Sequence, residues 1–177
     1  MKYPIFCVLG DRGAGKTCLM TRMAYHYSKI DGLKIYSNFH LKDIPYTPIS
    51  FAQLAQLPDY LYNAIVLLDE IQIGADAYEI FKRSNKAITK FATQLRKRKI
   101  TLYYSTQVFT MATKRLRQQT NYIIECNTTE HNGIFNIKTF DKNLPPKQQF
   151  INEFIFDGRP YFNMYDTDEV IDFGDEE

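Results

Sequence analysis

The sequence predicts an α/β domain: a mainly parallel central sheet flanked by helices, with antiparallel β additions toward the C-terminus. Three observations predict it. A Gly-rich turn, GDRGAGKT, joins a short apolar run to a helix-like stretch. Two continuous apolar runs, AIVLLDE and ITLYYST, have the texture of parallel strands buried on both faces. Asn-Gly and Asp-Gly turn signals then appear late, each flanked by strand-forming residues. At 177 residues there is room for one domain with a full core and not for two comfortable ones.

In chain order, Pro4 to Leu9 reads as a strand, TCLMTRMAYHYSKI as a helix and LKIYSNF as a second strand. After a Pro-containing connection, ISFAQLAQL fits a short helix whose start is capped by Ser50. AIVLLDE is the expected central strand. A longer helix is expected over Tyr78 to Arg98. At about 100° per residue, Ile80, Ala87, Ile88, Phe91 and Leu95 gather on one side, and Lys82, Lys86, Lys90 and Lys97 on another. ITLYYST follows, then a helix around Met111 to Gln119, then NYIIECNT. HNGIFNIKTF and FIFDGRPYFNMY read as antiparallel additions separated by the Pro145-Pro146 break. The expected divisions are a core over 1–145, a β-hairpin extension of the same domain over 146–165 and an acidic tail over 166–177.

Composition narrows the class of protein. The start, MKYPIFCVLG, breaks at once into Gly-rich sequence, unlike a signal peptide, and no run approaches the roughly 18 apolar residues of a spanning helix. Cys7, Cys18 and Cys126 follow no ligand or disulfide spacing, so they read as small apolar fillers in a reducing compartment. His26, His40 and His131 are far apart, which argues against a histidine metal site. The net charge of +2 hides an asymmetry. Between Ile80 and Ile124 there is no acid but eleven Lys and Arg, whereas from Asp157 onward eight acids face only Arg159. A basic middle and an acidic tail point to a polyanionic partner for the middle. The competing reading is a solvated helix face and a solubilising tail.

Gly10-Asp11-Arg12-Gly13-Ala14-Gly15-Lys16-Thr17 matches G-x-x-x-x-G-K-[ST], the phosphate-binding P-loop, in the strand-to-helix context the motif needs. Its glycines let successive N–H groups point at a phosphate, and the helix start, where Cys18 follows, adds partial positive charge. Lys16 is placed to reach the β- and γ-phosphates of ATP, and Thr17 to supply a hydroxyl to Mg²⁺. Asp69, closing an apolar strand, is the second expected magnesium residue. Glu70, one residue on, is positioned to orient and deprotonate an attacking water. The pair favours ATP hydrolysis over transfer to a small acceptor. GTPase signatures are missing: Gln72 stands where D-x-x-G needs its glycine, and Asn85-Lys86 does not continue as N-K-x-D. An S-G-G-Q signature is also absent. In a parallel sheet the strand ITLYYST ends at the same edge as AIVLLDE, so Gln107 is the expected polar group beside the γ-phosphate. Tyr103 and Tyr104 read as core rather than as a stacking platform.

On GDRGAGKT, YSNFHL, LLDEIQ, the basic lead RKRK into ITLYYSTQ, and MYDTDEVI, the chain resembles the viral branch of the FtsK–HerA superfamily of DNA-pumping ATPases. It is similar both to genome-packaging ATPases of membrane-containing viruses and to the Zot family of filamentous-phage assembly proteins. The resemblance implies a RecA-like P-loop core, a ring (a hexamer in this superfamily) and DNA threaded through its centre. It implies the roles given above for Lys16, Thr17, Asp69, Glu70 and Gln107. It also implies an arginine finger supplied to the neighbouring subunit, for which Arg98 and Arg96 come first, Arg115 and Arg117 next and Arg83 last. Lys82, Lys86, Lys90, Lys97 and Lys99 are the expected contacts to the DNA backbone. Zot-like proteins carry a membrane-spanning segment beyond this core, and none is read here. The expectation is therefore a motor in the host cytoplasm, or at a capsid vertex of the virion, that docks on a capsid or portal-vertex protein and packages double-stranded DNA. Two alternatives stand beside it: Zot-like extrusion of single-stranded DNA, and a nucleotide-switched assembly scaffold with little turnover.

Overall fold

The computed structural model describes residues 2–71 and 92–166. Most of the helix expected over Tyr78–Arg98, with Lys82, Arg83, Lys86 and Lys90, lies outside the described residues, as do residues 167–177 of the expected acidic tail.

Eight strands form one sheet in the order β3-β2-β4-β5-β1-β6-β7-β8. They are β1 (Ile5–Leu9), β2 (Lys34–Ser37), β3 (Thr47–Pro48), β4 (Ala64–Leu68), β5 (Ile100–Thr106), β6 (Tyr122–Thr128), β7 (Ile134–Asp141) and β8 (Phe150–Asp157). Every pairing from β3 to β6 is parallel, and β6-β7 and β7-β8 are antiparallel. The two apolar runs singled out in the sequence are the neighbours β4 and β5, whose every residue is buried. That is the pattern required of strands covered on both faces. β3, two residues long and ending in Pro48, closes one edge of the sheet to further pairing.

Alternation along the strands divides the core into two layers. On one face Ala64, Val66 and Leu68 of β4 pack with Leu54, Leu95 and Leu116. On the other, Ile65 and Leu67 pack with Leu19, Met20 and Ala24 of α1 (Lys16–Tyr27). The first face is covered by α2 (Phe51–Gln56), a helical segment at 92–97 and α3 (Lys114–Gln119). Ser50 caps α2 as expected: its hydroxyl accepts from the Gln53 N–H at 3.1 Å, and the Gln53 side chain accepts from the Ser50 N–H at 2.8 Å. Tyr103 and Tyr104 are core residues whose hydroxyls pair with Tyr27 (2.9 Å) and Thr120 (2.7 Å). All three cysteines are buried free thiols, which matches their reading as fillers. None of the described helices is long and apolar enough to cross a membrane.

The C-terminal part differs in detail from expectation. The Asp157-Gly158 pair does not turn a hairpin; it ends β8 and opens a 3-10 turn, Arg159–Met164, that lies against α1. The hairpin expected within 146–165 is instead formed by β7 and β8, across the Pro145-Pro146 connection. Gly158 has a negative φ of −86°, so the dipeptide lacks the left-handed conformation a tight hairpin needs. From there the chain crosses toward β2, where Lys42 N–H donates to the Met164 carbonyl at 2.8 Å and Leu41 bridges to Tyr165.

Leu67 is fully buried beneath α1. Leu67→Ala is expected to lower the unfolding free energy by about 2–5 kcal/mol, read from the shift of a urea unfolding curve.

Candidate nucleotide-binding site

The site stands at the carboxyl edge of the parallel strands, where β1 runs into the glycine loop and α1 begins. Gly10 has a φ of +154°, and a Cβ there would come within 2.4 Å of the Cys126 carbonyl oxygen on β6. Gly15 is left-handed (φ +88°) at the start of α1, which has no side-chain N-cap. The free amides of that first turn and the helix dipole make it an anion-binding end. Lys16, only 6% exposed, lays its ammonium across the loop and donates to the carbonyls of Gly10 (2.9 Å) and Asp11 (3.0 Å).

Asp69 ends β4 at 5% exposure and is the hub of the site. Its Oδ2 accepts from the Thr17 hydroxyl at 2.5 Å. Its Oδ1 accepts from the Ser105 hydroxyl and, at 3.1 Å, from the Glu70 N–H. Asn38 clamps the backbone: its side chain accepts from Asp69 N–H at 2.7 Å and donates to the Asp69 carbonyl at 3.0 Å. Glu70 adopts a positive φ of 50°, and its N–H also donates to Ser105 Oγ at 2.8 Å. A doubly held amide thus keeps the residue in a conformation that a side chain beyond Gly adopts at a cost of about 1–2 kcal/mol.

Ser105 and Asn38 were not singled out as site residues in the sequence. Asn38 belongs to the YSNFHL stretch, whose place in the pattern now has a physical reason. Ser105 is one position inside the strand end, where alternation hides it in an otherwise apolar run. Gln107 lies at the expected sheet edge, two residues beyond Ser105. It is half-buried and is not among the residues that line the cleft. The polar group of β5 that reaches Asp69 is Ser105.

The cleft has a volume of about 670 Å³. Arg12, Gly13, Gly15, Lys16, Thr17 and Cys18 line it on the loop side, and Asp69 and Glu70 at its β4 end. The opposite wall comes from the turn between β6 and β7, with His131, Asn132 and Gly133, and from Phe162 and Tyr165 of the C-terminal segment. Burial pushes the Cys18 and Cys126 thiols up to about 12, so neither is a thiolate nucleophile at neutral pH. Burial, with the Cys18 thiol and the Asp69 charge nearby, also raises the Tyr165 phenol, which stays protonated.

The donor set suits magnesium. A hydroxyl and a carboxylate oxygen 2.5 Å apart are hard ligands. No cluster of three or more His, Cys, Asp or Glu side chains occurs among the described residues, so phosphate and water would complete the shell. The remaining predicted residues lie elsewhere. Arg96, Lys97, Arg98 and Lys99 precede β5, at the sheet edge opposite the loop. Arg98 donates to the Pro58 carbonyl at 2.6 Å and pairs with Asp59 at 3.4 Å, whereas Arg96, Lys97 and Lys99 are exposed. Arg115 is half-buried on α3, and Arg117 donates to the Ala112 carbonyl at 3.1 Å.

The loop, the sheet order and the strand-end carboxylate together define a P-loop NTPase fold. No protein-family model matches the sequence, and no curated protein matches it significantly. Among solved structures the chain is similar to the N-terminal domain of zonular occludens toxin from Neisseria meningitidis. The TM-score is 0.67 at 18% identity, over 94% of this chain and 100% of that one. It is also similar to the genome packaging NTPase B204 from Sulfolobus turreted icosahedral virus 2 in complex with ATP-gammaS, with a TM-score of 0.58 and 15% identity, over 86% of this chain and 96% of that one. The DNA-packaging ATPase B204 from Sulfolobus turreted icosahedral virus gives a TM-score of 0.54 at 15% identity, over 86% and 97% of the two chains. At these identities the likeness is one of fold.

Two glycines of the loop separate conformation from crowding. A Cβ on Gly13 (φ +81°) meets nothing within 4 Å, whereas on Gly10 it meets backbone. Gly13→Ala is expected to cost about 1–2 kcal/mol of stability for its left-handed backbone alone. Gly10→Ala is expected to cost about 1–3 kcal/mol more, because the loop must move off β6. Chemical denaturation of the two variants measures the difference.

Proposed function

We propose that the chain is a P-loop ATP hydrolase that acts as a ring-shaped homo-oligomer, with six subunits expected, and drives double-stranded viral DNA into a preformed capsid. The observation that carries the hydrolase reading is the convergence of Thr17, Ser105 and the Glu70 N–H on the Asp69 carboxylate at the end of the loop cleft. In this reading Lys16 transfers its ammonium from the loop carbonyls to the β- and γ-phosphates. Mg²⁺ held by Thr17 and Asp69 would neutralise charge on those phosphates. Glu70 orients the attacking water and accepts its proton; Gln107, just past the end of β5 and outside the cleft lining, is assigned the sensing of the γ-phosphate, for which its side chain must turn into the cleft.

Among the described residues that line the cleft, Arg12 is the arginine and Lys16 the lysine. A further cation for the transition state is therefore assigned to a neighbouring subunit, as an arginine finger. Of the candidates Arg98, Arg96 and Arg115, Arg96 is exposed and makes no side-chain bond among the described residues, whereas Arg98 must leave Pro58 and Asp59. Lys97 and Lys99, with Lys82, Lys86 and Lys90, are assigned to the DNA phosphates. The capsid or portal-vertex protein is the docking partner, at a vertex or in the host cytoplasm.

The packaging task named for the B204 neighbours supports this reading. A second reading, extrusion of single-stranded phage DNA, is favoured by the higher similarity to the zonular occludens toxin domain. Steady-state hydrolysis separates them, run alone and with duplex or single-stranded DNA at low and moderate salt. Stimulation by duplex that fades with salt supports packaging, and stimulation by single strands alone supports extrusion. Hydrolysis indifferent to both in a preparation that forms rings removes the motor reading and leaves a nucleotide-switched scaffold.

Glu70→Gln is expected to lower turnover by about 10²–10⁴-fold with ATP binding retained, as for loss of a general base. Ser105→Ala is expected to lower it by about 10–100-fold through the misplaced Asp69 and Glu70, with rescue by Ser105→Thr. Single-turnover kinetics alongside equilibrium ATP binding check both.

A further inference from the structure

We infer that the nucleobase of the bound nucleotide stacks on Phe162, in the compartment between the C-terminal 3-10 turn and the β6–β7 turn. This rests on the proposal that the cleft binds a nucleoside triphosphate. It adds a base-recognition subsite built by a part of the chain outside the phosphate-binding motif.

The sheet order sets the direction of the ligand. Lys16, Thr17 and Asp69 hold the phosphate end between β1 and β4. β6 and β7 lie on the other side of β1 from β4, so the rest of the nucleotide runs toward their connecting turn. That end of the cleft is lined by His131, Asn132, Gly133 and Phe162, and the Asp166 carboxylate, which also lines the cleft, faces Lys42 at 4.0 Å. The volume of about 670 Å³ is that of a small-ligand site and exceeds what a phosphate chain alone would fill.

Phe162 lines the cleft and keeps 38% of its surface exposed, on a turn whose neighbours Tyr161 and Met164 pack toward the core. Gly133 lies against the ring edge, where a Cβ would come 3.1 Å from Cε2 and Cζ. The Gly158 N–H donates to the Gly133 carbonyl at 2.8 Å, and Cys18 Sγ donates to the Gly158 carbonyl at 3.4 Å. Two bonds from the Arg159 guanidinium to Asp157, at 2.9 and 2.7 Å, brace the turn. The β6–β7 turn beside the ring is thus tied through Gly133 and Gly158 to Cys18, the residue that follows Thr17 of the loop. An exposed aromatic held at the far end of a phosphate site offers a stacking face to any base.

The test compares Mg-ATP with magnesium tripolyphosphate, which shares the phosphates and lacks the nucleoside, by calorimetric titration of the full chain. Phe162→Leu keeps an apolar side chain against Gly133 and removes the stacking face; Phe162→Tyr keeps the face. Phe162→Leu is expected to weaken ATP about fivefold or more, to leave tripolyphosphate within about twofold, and Phe162→Tyr to bind ATP as the wild type does. ATP affinity unchanged in Phe162→Leu, or falling in parallel with tripolyphosphate, overturns the inference while the nucleotide reading stands. Wild-type protein that binds neither ligand, or Lys16→Ala that binds ATP as well as wild type, overturns the nucleotide reading itself and the subsite with it.

Discussion

A buried carboxylate is expensive unless its lone pairs are satisfied, and the Asp69 side chain, 5% exposed, is the charge around which this site is arranged. Its donors come from three separate parts of the chain: Thr17 at the start of α1, Ser105 in β5 and the next peptide, Glu70. Asn38, from the end of β2, fixes the backbone of the same residue. Satisfying one charge therefore sets the relative positions of α1, β2, β4 and β5. The same bonds hold Glu70 at positive φ, and the Ser105 hydroxyl is one of the two acceptors of its N–H. Structural cost and proposed chemical role coincide at one pair of residues.

The second constraint is steric and couples the loop to the antiparallel strands. Phe135 of β7 lies against Gly15 of the loop, where a Cβ would be 2.8 Å from its ring, and against Gly158, where a Cβ would be 2.7 Å away. It belongs to the same buried cluster as Val8, Cys18 and Leu19. The late strands are thus part of the candidate site rather than an appendage: they back the loop and supply one wall of the cleft. A division of the chain near 145 would cut β7 from β8 and leave that wall unsupported.

Much of this was legible in the sequence because it is local. The loop motif, the Ser50 cap and the uninterrupted burial of β4 and β5 each follow from residues within a few positions of one another. Ser105 was hidden because a strand end shows its polarity only in the residue that projects past it, and Gln107 occupied that place. What selects Ser105 is the register Leu68↔Tyr104, which brings it beside the end of β4. Asn38 and Phe162 depend likewise on contacts between distant segments. The Asp157-Gly158 signal misled for a different reason. A dipeptide permits a hairpin but does not impose one, and here packing of the following residues on α1 decided the conformation. The basic side chains expected of the long helix were readable as a charge pattern, and the pattern alone carries no position for them.

β5 joins the two features that the sequence places at its ends. The basic lead Arg96–Lys99 stands at its amino edge, and Ser105 touches Asp69 at its carboxyl edge, seven strand residues apart from first to last. At about 3.3 Å per residue that is roughly 20 Å of extended chain. All seven residues are buried, and the strand is paired on both sides, to β4 and β1. A strand so confined has little freedom to bend independently of its neighbours. On the proposed reading this is the physical link between the two halves of the function. A neighbour's nucleotide or a DNA phosphate would act on the cations at the start of β5, while the hydroxyl at its end aligns the carboxylates that act on water. The charge beside a buried strand and the polar group at its tip then serve one purpose, the coupling of contacts at one sheet edge to chemistry at the other.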